Sequence, residues 1–407
     1  MFSFSLSSPV PLRRERKTRY ALSACLLMLC WFGLTHDAKA EVAQSKENLM
    51  TPLWQVATEG QIWSSPAVEK GRIYVGSDDG DFYAIDQASQ TVLWRFATQG
   101  KVRAAPALDA KHVYFSSDDG YLYALNKESG QEVWRFHLND GDVPRIGPAN
   151  HAPWVFDYEK SSPVLANGRL FIGSADQHFY AIDSQNGKQI WRIQTNGMVR
   201  ATPSLGDKVV YISSWGGRVY QIDQTSGQIN WQFDTGSPIV SRVVAVGDKL
   251  IVGARNGVLF ALNAQGTEQW RFTMPEGSWV ESSAVVDSDQ RHFYLGTSDA
   301  KILYKFDSQT GKTIWQTTLH GWIWGTPLLY QGQVYIGASG AKEYWTPVTQ
   351  GFFKVNTKTG HTTKLYTPAS SPTHYVHGGV FATPAVQNNQ LIVADLDGKV
   401  YGFALSQ

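Results

Sequence analysis

Residues Ala181 to Trp191 read Ala-Ile-Asp-Ser-Gln-Asn-Gly-Lys-Gln-Ile-Trp, and variants of this unit recur along the whole chain. The closing Trp returns at Trp54, Trp94, Trp134, Trp191, Trp231, Trp270 and Trp315, at spacings of 40, 40, 57, 40, 39 and 45 residues, and Tyr366 takes an eighth place. Short apolar runs ending in Asp or Asn precede all but the first, as in Tyr83-Ala84-Ile85-Asp86 and Phe260-Ala261-Leu262-Asn263. A period of roughly forty residues marks an array of supersecondary units, each burying its apolar face only against a neighbour.

One unit read outward from this stretch contains four short strands. They are expected at Ala201 to Leu205, Val209 to Ile212, Arg218 to Ile222 and Ile229 to Phe233, with Gly206-Asp207, Trp215-Gly216-Gly217 and Thr225-Ser226-Gly227 as the joints. β-Branched and aromatic residues at this spacing, without helical periodicity, specify an all-β radial array. The innermost strand recurs at Ser65-Pro66, Ala105-Pro106, Ser162-Pro163, Thr202-Pro203, a divergent Ser241-Arg242, a divergent Ser282-Ser283, Thr326-Pro327 and Thr383-Pro384. The expected fold is therefore an eight-bladed β-propeller of four-stranded antiparallel blades. The last copy, ending Tyr401 to Leu405, lacks an outer strand, whereas Leu53-Trp54-Gln55-Val56 lacks inner ones. The N-terminal strand is expected to complete the last blade and close the ring.

The first forty residues stand outside the repeat. Arg13, Arg14, Arg16, Lys17 and Arg19 form a basic region, Ala21 to Leu34 an apolar one, and Ala38-Lys39-Ala40 a small-x-small cleavage pattern. This is the organisation of a secretory signal peptide cleaved after Ala40, leaving 41–50 as a linker and 51–407 as one propeller. An uncleaved or lipidated segment is the alternative, since Leu22-Ser23-Ala24-Cys25 has lipobox residue types, although it precedes most of the apolar stretch. Cleavage removes Cys25 and Cys30, the only cysteines, and takes the formal charge from +1 to −3. An exported, thiol-free, weakly acidic chain offers no footprint for nucleic acid, and its mature part has no apolar run long enough for a transmembrane helix. An exported monomer is expected.

The spacing Ala181, Asp183, Gly187 and Trp191 resembles the tryptophan-docking repeat of the pyrroloquinoline-quinone (PQQ) β-propeller superfamily, over nearly all of Thr51 to Leu405. Within it the chain is most similar to the BamB-type outer-membrane assembly factors. That resemblance implies an eight-bladed periplasmic protein that binds protein partners without catalysis. The other branch, the PQQ-dependent dehydrogenases, implies a bound quinone. Its alcohol-oxidising members resemble longer chains with a vicinal disulfide and a Ca²⁺ held by Glu, Asn and Asp. Here the mature chain has no cysteine, and Glu281 has no evident Asn and Asp companions.

Function in such an array belongs where the repeat breaks. The expansions Asn139 to Glu159, Gly340 to Gly351 and Thr367 to Val380 fall on one rim, and only the small Asp287 to Gln290 expansion points to the other side. They carry Trp154, Phe156, Tyr158, Tyr344, Trp345, His374, Tyr375 and His377, and Trp215 shares the rim. These aromatics suit either a partner, a glycan face or a lid over the channel mouth. The residue three places before each inner-strand proline is expected to line that mouth: Trp63, Arg103, Lys160, Arg200, Ile239, Val280 with Glu281 beside it, Trp324 and Phe381. Such a ring can hold a planar anion such as PQQ, or it can fill the funnel with cation–π pairs. No catalytic constellation is expected. The Asp78-Asp79-Gly80 and Asp118-Asp119-Gly120 turns read as hairpin chemistry, and His151, His178, His320, His374 and His377 lack a zinc spacing.

Overall fold

The computed structural model describes residues 49–139, 141, 143, 157–341, 344, 346–370 and 374–405. The proposed signal segment and most of the linker lie outside these. Trp154, Phe156 and Trp345 do too.

Eight antiparallel sheets follow one another along the chain, seven built of four strands in sequence order and the eighth completed by the N-terminal strand, with a fifth strand added to one. In the fourth blade the strands are Ser204–Leu205, Val209–Ser213, Arg218–Asp223 and Ile229–Asp234. The inner strand is shorter than the sequence predicts: it starts only after Pro203, and the proline-free inner strands Val244–Val246 and Val285–Val286 start at the matching position. The N-terminal strand Trp54–Ala57 pairs antiparallel with Lys399–Ala404 and supplies the outer strand of the eighth blade.

Burial follows from radial stacking. Second and third strands such as Arg169–Gly173 and His178–Asp183 are buried along nearly their whole length, because both sheet faces meet neighbouring blades. Outer strands such as Ile229–Asp234 alternate, and Leu93, Val133, Ile190, Ile229 and Ile314 face outward. The core is accordingly divided into eight apolar clusters, each shared by two successive blades. One joins the last blade to the first through Trp54, Ile73, Ile85, Ile392 and Val400. A ninth cluster, around Trp63, Tyr158, Trp322 and Trp324, sits at the channel mouth. Among the described residues no helix is long and apolar enough to cross a membrane.

Six joints between blades share one geometry. The indole nitrogens of Trp94, Trp134 and Trp191 donate to the carbonyls of Lys127, Ser184 and Gln224 in the next blade, at 3.0, 3.1 and 3.2 Å. Trp231, Trp270 and Trp315 donate likewise to Ala264, Ser308 and Thr357. Each ring lies against a left-handed glycine of that blade, Gly130, Gly187, Gly227, Gly266, Gly311 or Gly360 in turn. At Gly227, with φ of +75°, an added Cβ would come within 2.8 Å of the Trp191 ring.

The ring seam is built differently. Tyr366 replaces Trp and bonds the Tyr401 hydroxyl at 3.2 Å, while Trp54 donates to Gln390 Oε1 within its own blade at 2.8 Å. Asp395 lies in this last blade, fully buried. Its Oδ1 accepts from the amides of Asp397 and Lys399, while its buried Oδ2 has no close hydrogen-bond donor among the described residues, and the nearby Tyr401 hydroxyl only partly offsets its burial. Burial pushes this carboxyl up from 3.8 to about 7. A raised carboxyl binds its proton more tightly in the folded state. The stabilisation is therefore full below the unfolded value and lost as pH rises through the folded one. Relative to Asp395→Asn, the wild-type chain should lose on the order of 4 kcal/mol between pH 4 and pH 9. Denaturant unfolding across that range measures the difference, and parallel profiles would contradict the assignment.

Candidate functional site

Each inner strand enters from the rim and descends along the axis, so successive residues form tiers around the channel. The register is fixed by one backbone bond per blade, such as Val102 N–H to Ser77 O, Val199 N–H to Ser174 O and Ile239 N–H to Ser214 O, at 3.0, 2.9 and 3.2 Å. The following residue faces the channel. It is Arg103 and Val240 in two of these blades, and Glu281 and Trp324 in the two after them, whereas Arg200 at the same position is buried against Asp157 and does not border the cavity. This corrects the sequence assignment of Ile239, and it selects Glu281 over Val280. Ile239 and Val280 are fully buried between blades. Blades 5 and 6 lack the inner-strand proline, and the offset taken from Arg242 and Ser283 falls one residue short of the tier.

The uppermost tier is paired by a simple rule. The turn residue of one blade faces the tier residue of the next. Arg103 grips Asp78 through two bonds of 2.8 Å, with its guanidinium 5.4 Å from the Trp63 ring centroid. Lys160 lies 3.8 Å from Asp118, and burial pulls its ammonium down to about 7 against the opposing pull of that carboxylate. Trp324 donates to Ser298 at 2.9 Å. In blades 5 and 6 the charges are inverted, with Arg255 in the turn and Glu281 in the tier, 2.7 Å apart. Arg255 lies between the rings of Trp215 and Trp279, 4.9 Å from each centroid. Burial raises the Glu281 carboxyl while Arg255 opposes that shift. Arg200 meets Asp157 of the long loop at 2.6 Å.

Asp78, Asp118, Asp157 and Arg255 were not singled out from sequence as partners. The doubled Asp in the first two turns was a usable signal. The second member, Asp79 or Asp119, holds the turn by accepting from the amide of Asp81 or Tyr121. The first is thereby left for the neighbouring blade.

Aromatic rings fill the mouth above this tier. Tyr158 stacks on Trp324 at 4.8 Å and touches Trp63 and Phe381, and Trp324 stacks in turn on Trp322 at 4.6 Å. Tyr344 meets Trp322 edge-on at 5.0 Å and donates to Asp299 at 2.5 Å, and Tyr375 lies 6.3 Å from Trp322. Beside these rings the rim is elaborated into a second sheet. Strand Gln333–Ala341 overruns its blade and pairs with Val376–Gly379, which carries the half-buried His377. Lys301 fastens the intervening loop by donating to Thr346 and Pro347 at 2.7 and 2.9 Å. Below lies a cavity of about 340 Å³, bordered by Trp63, Arg103, Lys160, Glu281, Trp324 and Phe381. Among the described residues no three His, Cys, Asp or Glu side chains converge as a metal site.

The family model described as outer membrane protein assembly factor BamB matches residues 39–158, 139–270 and 255–407, and the chain belongs to that family. No curated protein matches the sequence. Among solved structures the chain is similar to BamB from Moraxella catarrhalis, at 17% identity over 70% of this chain and 85% of that one, TM-score 0.59. It is also similar to the computationally designed Ika8 protein, at 15% identity over 86% and 97%, TM-score 0.65. A europium-containing methanol dehydrogenase aligns at 13% identity over 84% of each chain, TM-score 0.62. At these identities the three structures speak for the fold alone.

The buried Arg255–Glu281 pair yields a stability test. Glu281→Gln leaves a buried guanidinium without its carboxylate and should cost about 3–5 kcal/mol, most of it recovered by adding Arg255→Met. Denaturant unfolding of both variants measures this, and a single variant as stable as the wild type would contradict the pairing.

Proposed function

We propose that this member of the BamB family is a non-catalytic scaffold for outer-membrane protein assembly. It works as an exported periplasmic monomer after removal of residues 1–40, and holds a protein partner on its elaborated rim. The observation that carries this reading is the added sheet of Gln333–Ala341 and Val376–Gly379, which none of the other blades has among the described residues. Hydrogen bonds from Lys301, Tyr344 and Gln61 fix it to neighbouring blades. A pre-ordered platform lowers the entropic cost of docking a partner.

The residues of the mouth do not fit a quinone–calcium centre. Glu281, the acidic candidate there, is engaged by Arg255, and the stacked Tyr158, Trp324 and Trp322 already supply one another with ring faces. These contacts support the reading in which Trp63, Arg103, Lys160, Arg200 and Phe381 shape and fill the funnel. The rim carries the partner through Tyr344, Tyr375 and His377, together with Trp154, Trp215 and Trp345 of the sequence assignment.

Site-specific photo-crosslinking in the cell separates the possibilities. A photoreactive residue at His374 on the rim should capture a component of the outer-membrane assembly machinery, and one at Leu93 on the outer face should not. Capture of that component from Leu93 alone would overturn the rim assignment. Purified chain that carries a quinone absorbance band and the matching extracted mass would overturn the scaffold reading.

A further inference from the structure

One tier below the paired charges, six blades place a hydroxyl at the same position: Ser65, Ser162, Thr202, Ser283, Thr326 and Thr383, all bordering the channel cavity. Blade 2 places Ala105 there, and blade 5 places Arg242. The tier is stitched from blade to blade. The amide of Ala105 donates to Ser162 Oγ at 2.9 Å, and that of Ser162 to Thr202 Oγ1 at 3.4 Å. The amide of Arg242 donates to Ser283 Oγ at 3.1 Å, and that of Thr383 to Ser65 Oγ at 2.9 Å. A hydroxyl that accepts one bond still has its own proton to give. Among the described residues no protein acceptor takes the protons of these four hydroxyls, so they are available to the cavity.

Arg242 adds a charge to this ring of donors. The other channel cations are committed, Arg103 to Asp78, Lys160 to Asp118, Arg200 to Asp157 and Arg255 to Glu281. Arg242 has no carboxylate partner among the described residues, and its buried Nε has no hydrogen-bond partner. Burial alone lowers its pKa, with no neighbouring carboxylate opposing the shift. A guanidinium does not escape by losing its proton, so a desolvated charge remains to be matched. Of the two carboxylates that border the cavity, Glu281 is bound to Arg255, and Glu159 acts on Tyr158 and Arg255.

We propose that this tier is a binding site for a small oxyanion, a carboxylate or phosphate group, held by the Arg242 guanidinium and the hydroxyl donors beside it. The planar fork of Arg242 presents paired N–H groups to two oxygens, and the hydroxyl tier offers donors to whatever they leave unmatched. The site is inside the channel and distinct from the rim surface assigned to the partner, so either assignment can fail without the other.

Isothermal titration of the purified full chain, with chloride held constant, tests the site with inorganic phosphate and sodium acetate as probes. Saturable one-to-one binding of at least one probe is expected, and the stronger probe identifies the preferred head group. Arg242→Thr inserts the residue that blades 4, 7 and 8 carry at this position and should weaken binding at least tenfold. Arg242→Gln should do the same while keeping side-chain length. The bound anion should raise the melting temperature of the wild type and leave that of either variant unchanged. Absence of saturable binding by both probes would overturn the proposal, as would unchanged affinity in either variant.

Discussion

Each regular joint of the ring depends on an indole lying flat on a glycine of the next blade and giving its N–H to a carbonyl beside that glycine. The sequence Asp-x-x-x-Gly prepares this contact. Asp183 Oδ1 accepts from the amides of Gln185 and Asn186, and Asp223 Oδ1 from those of Thr225 and Ser226. The turn so held places Gly187 and Gly227 in the left-handed region, with φ of +70° and +75°. Only a residue without a Cβ is comfortable there, and only its bare Cα lets the ring approach. One short motif thus specifies a local turn and a contact with the adjacent blade at once.

Where that contact is absent, other chemistry takes over. At the seam no docking Trp reaches across. Gln87, Asn388 and Gln390 form an amide network from blade 1 to blade 8, with bonds of 2.9 and 3.0 Å. Amide bonds are individually modest, so the shared apolar cluster of Trp54, Ile73 and Ile392 bears much of the closure. The high pKa of Asp395 belongs to this same region. The seam is therefore one place where pH is expected to act on the ring, and the buried Lys160 at the channel mouth is another.

The fold was legible because its signals are local and repeated. Blade number, strand order and closure follow from turns and apolar runs that each copy restates. The channel was legible only in part. Trp63, Arg103, Lys160, Trp324 and Phe381 stand at a fixed offset from an inner-strand proline, and the offset breaks in blades 5 and 6, where no proline stands. The partners Asp78, Asp118 and Arg255 were hidden for another reason. Each pairs across blades, 25, 42 and 26 residues away in turn, and a single sequence carries no record of such contacts beyond charge complementarity. Arg242 illustrates the same limit. Its departure from the Ser/Thr tier becomes visible only once the tier is aligned by hydrogen bonds.

Packing thus accounts for the repeat, ion pairs and stacked rings for the mouth, and the breaks in the repeat for the surfaces left to interact. Amide hydrogen exchange of the purified chain, with and without the purified outer-membrane assembly complex, tests this division directly. The account predicts slowed exchange in Gln333–Ala341 and Val376–Gly379, with the outer strands Thr91–Ala97 and Thr313–Thr318 unchanged. Protection confined to the outer strands, with the rim sheet unaffected, would contradict it.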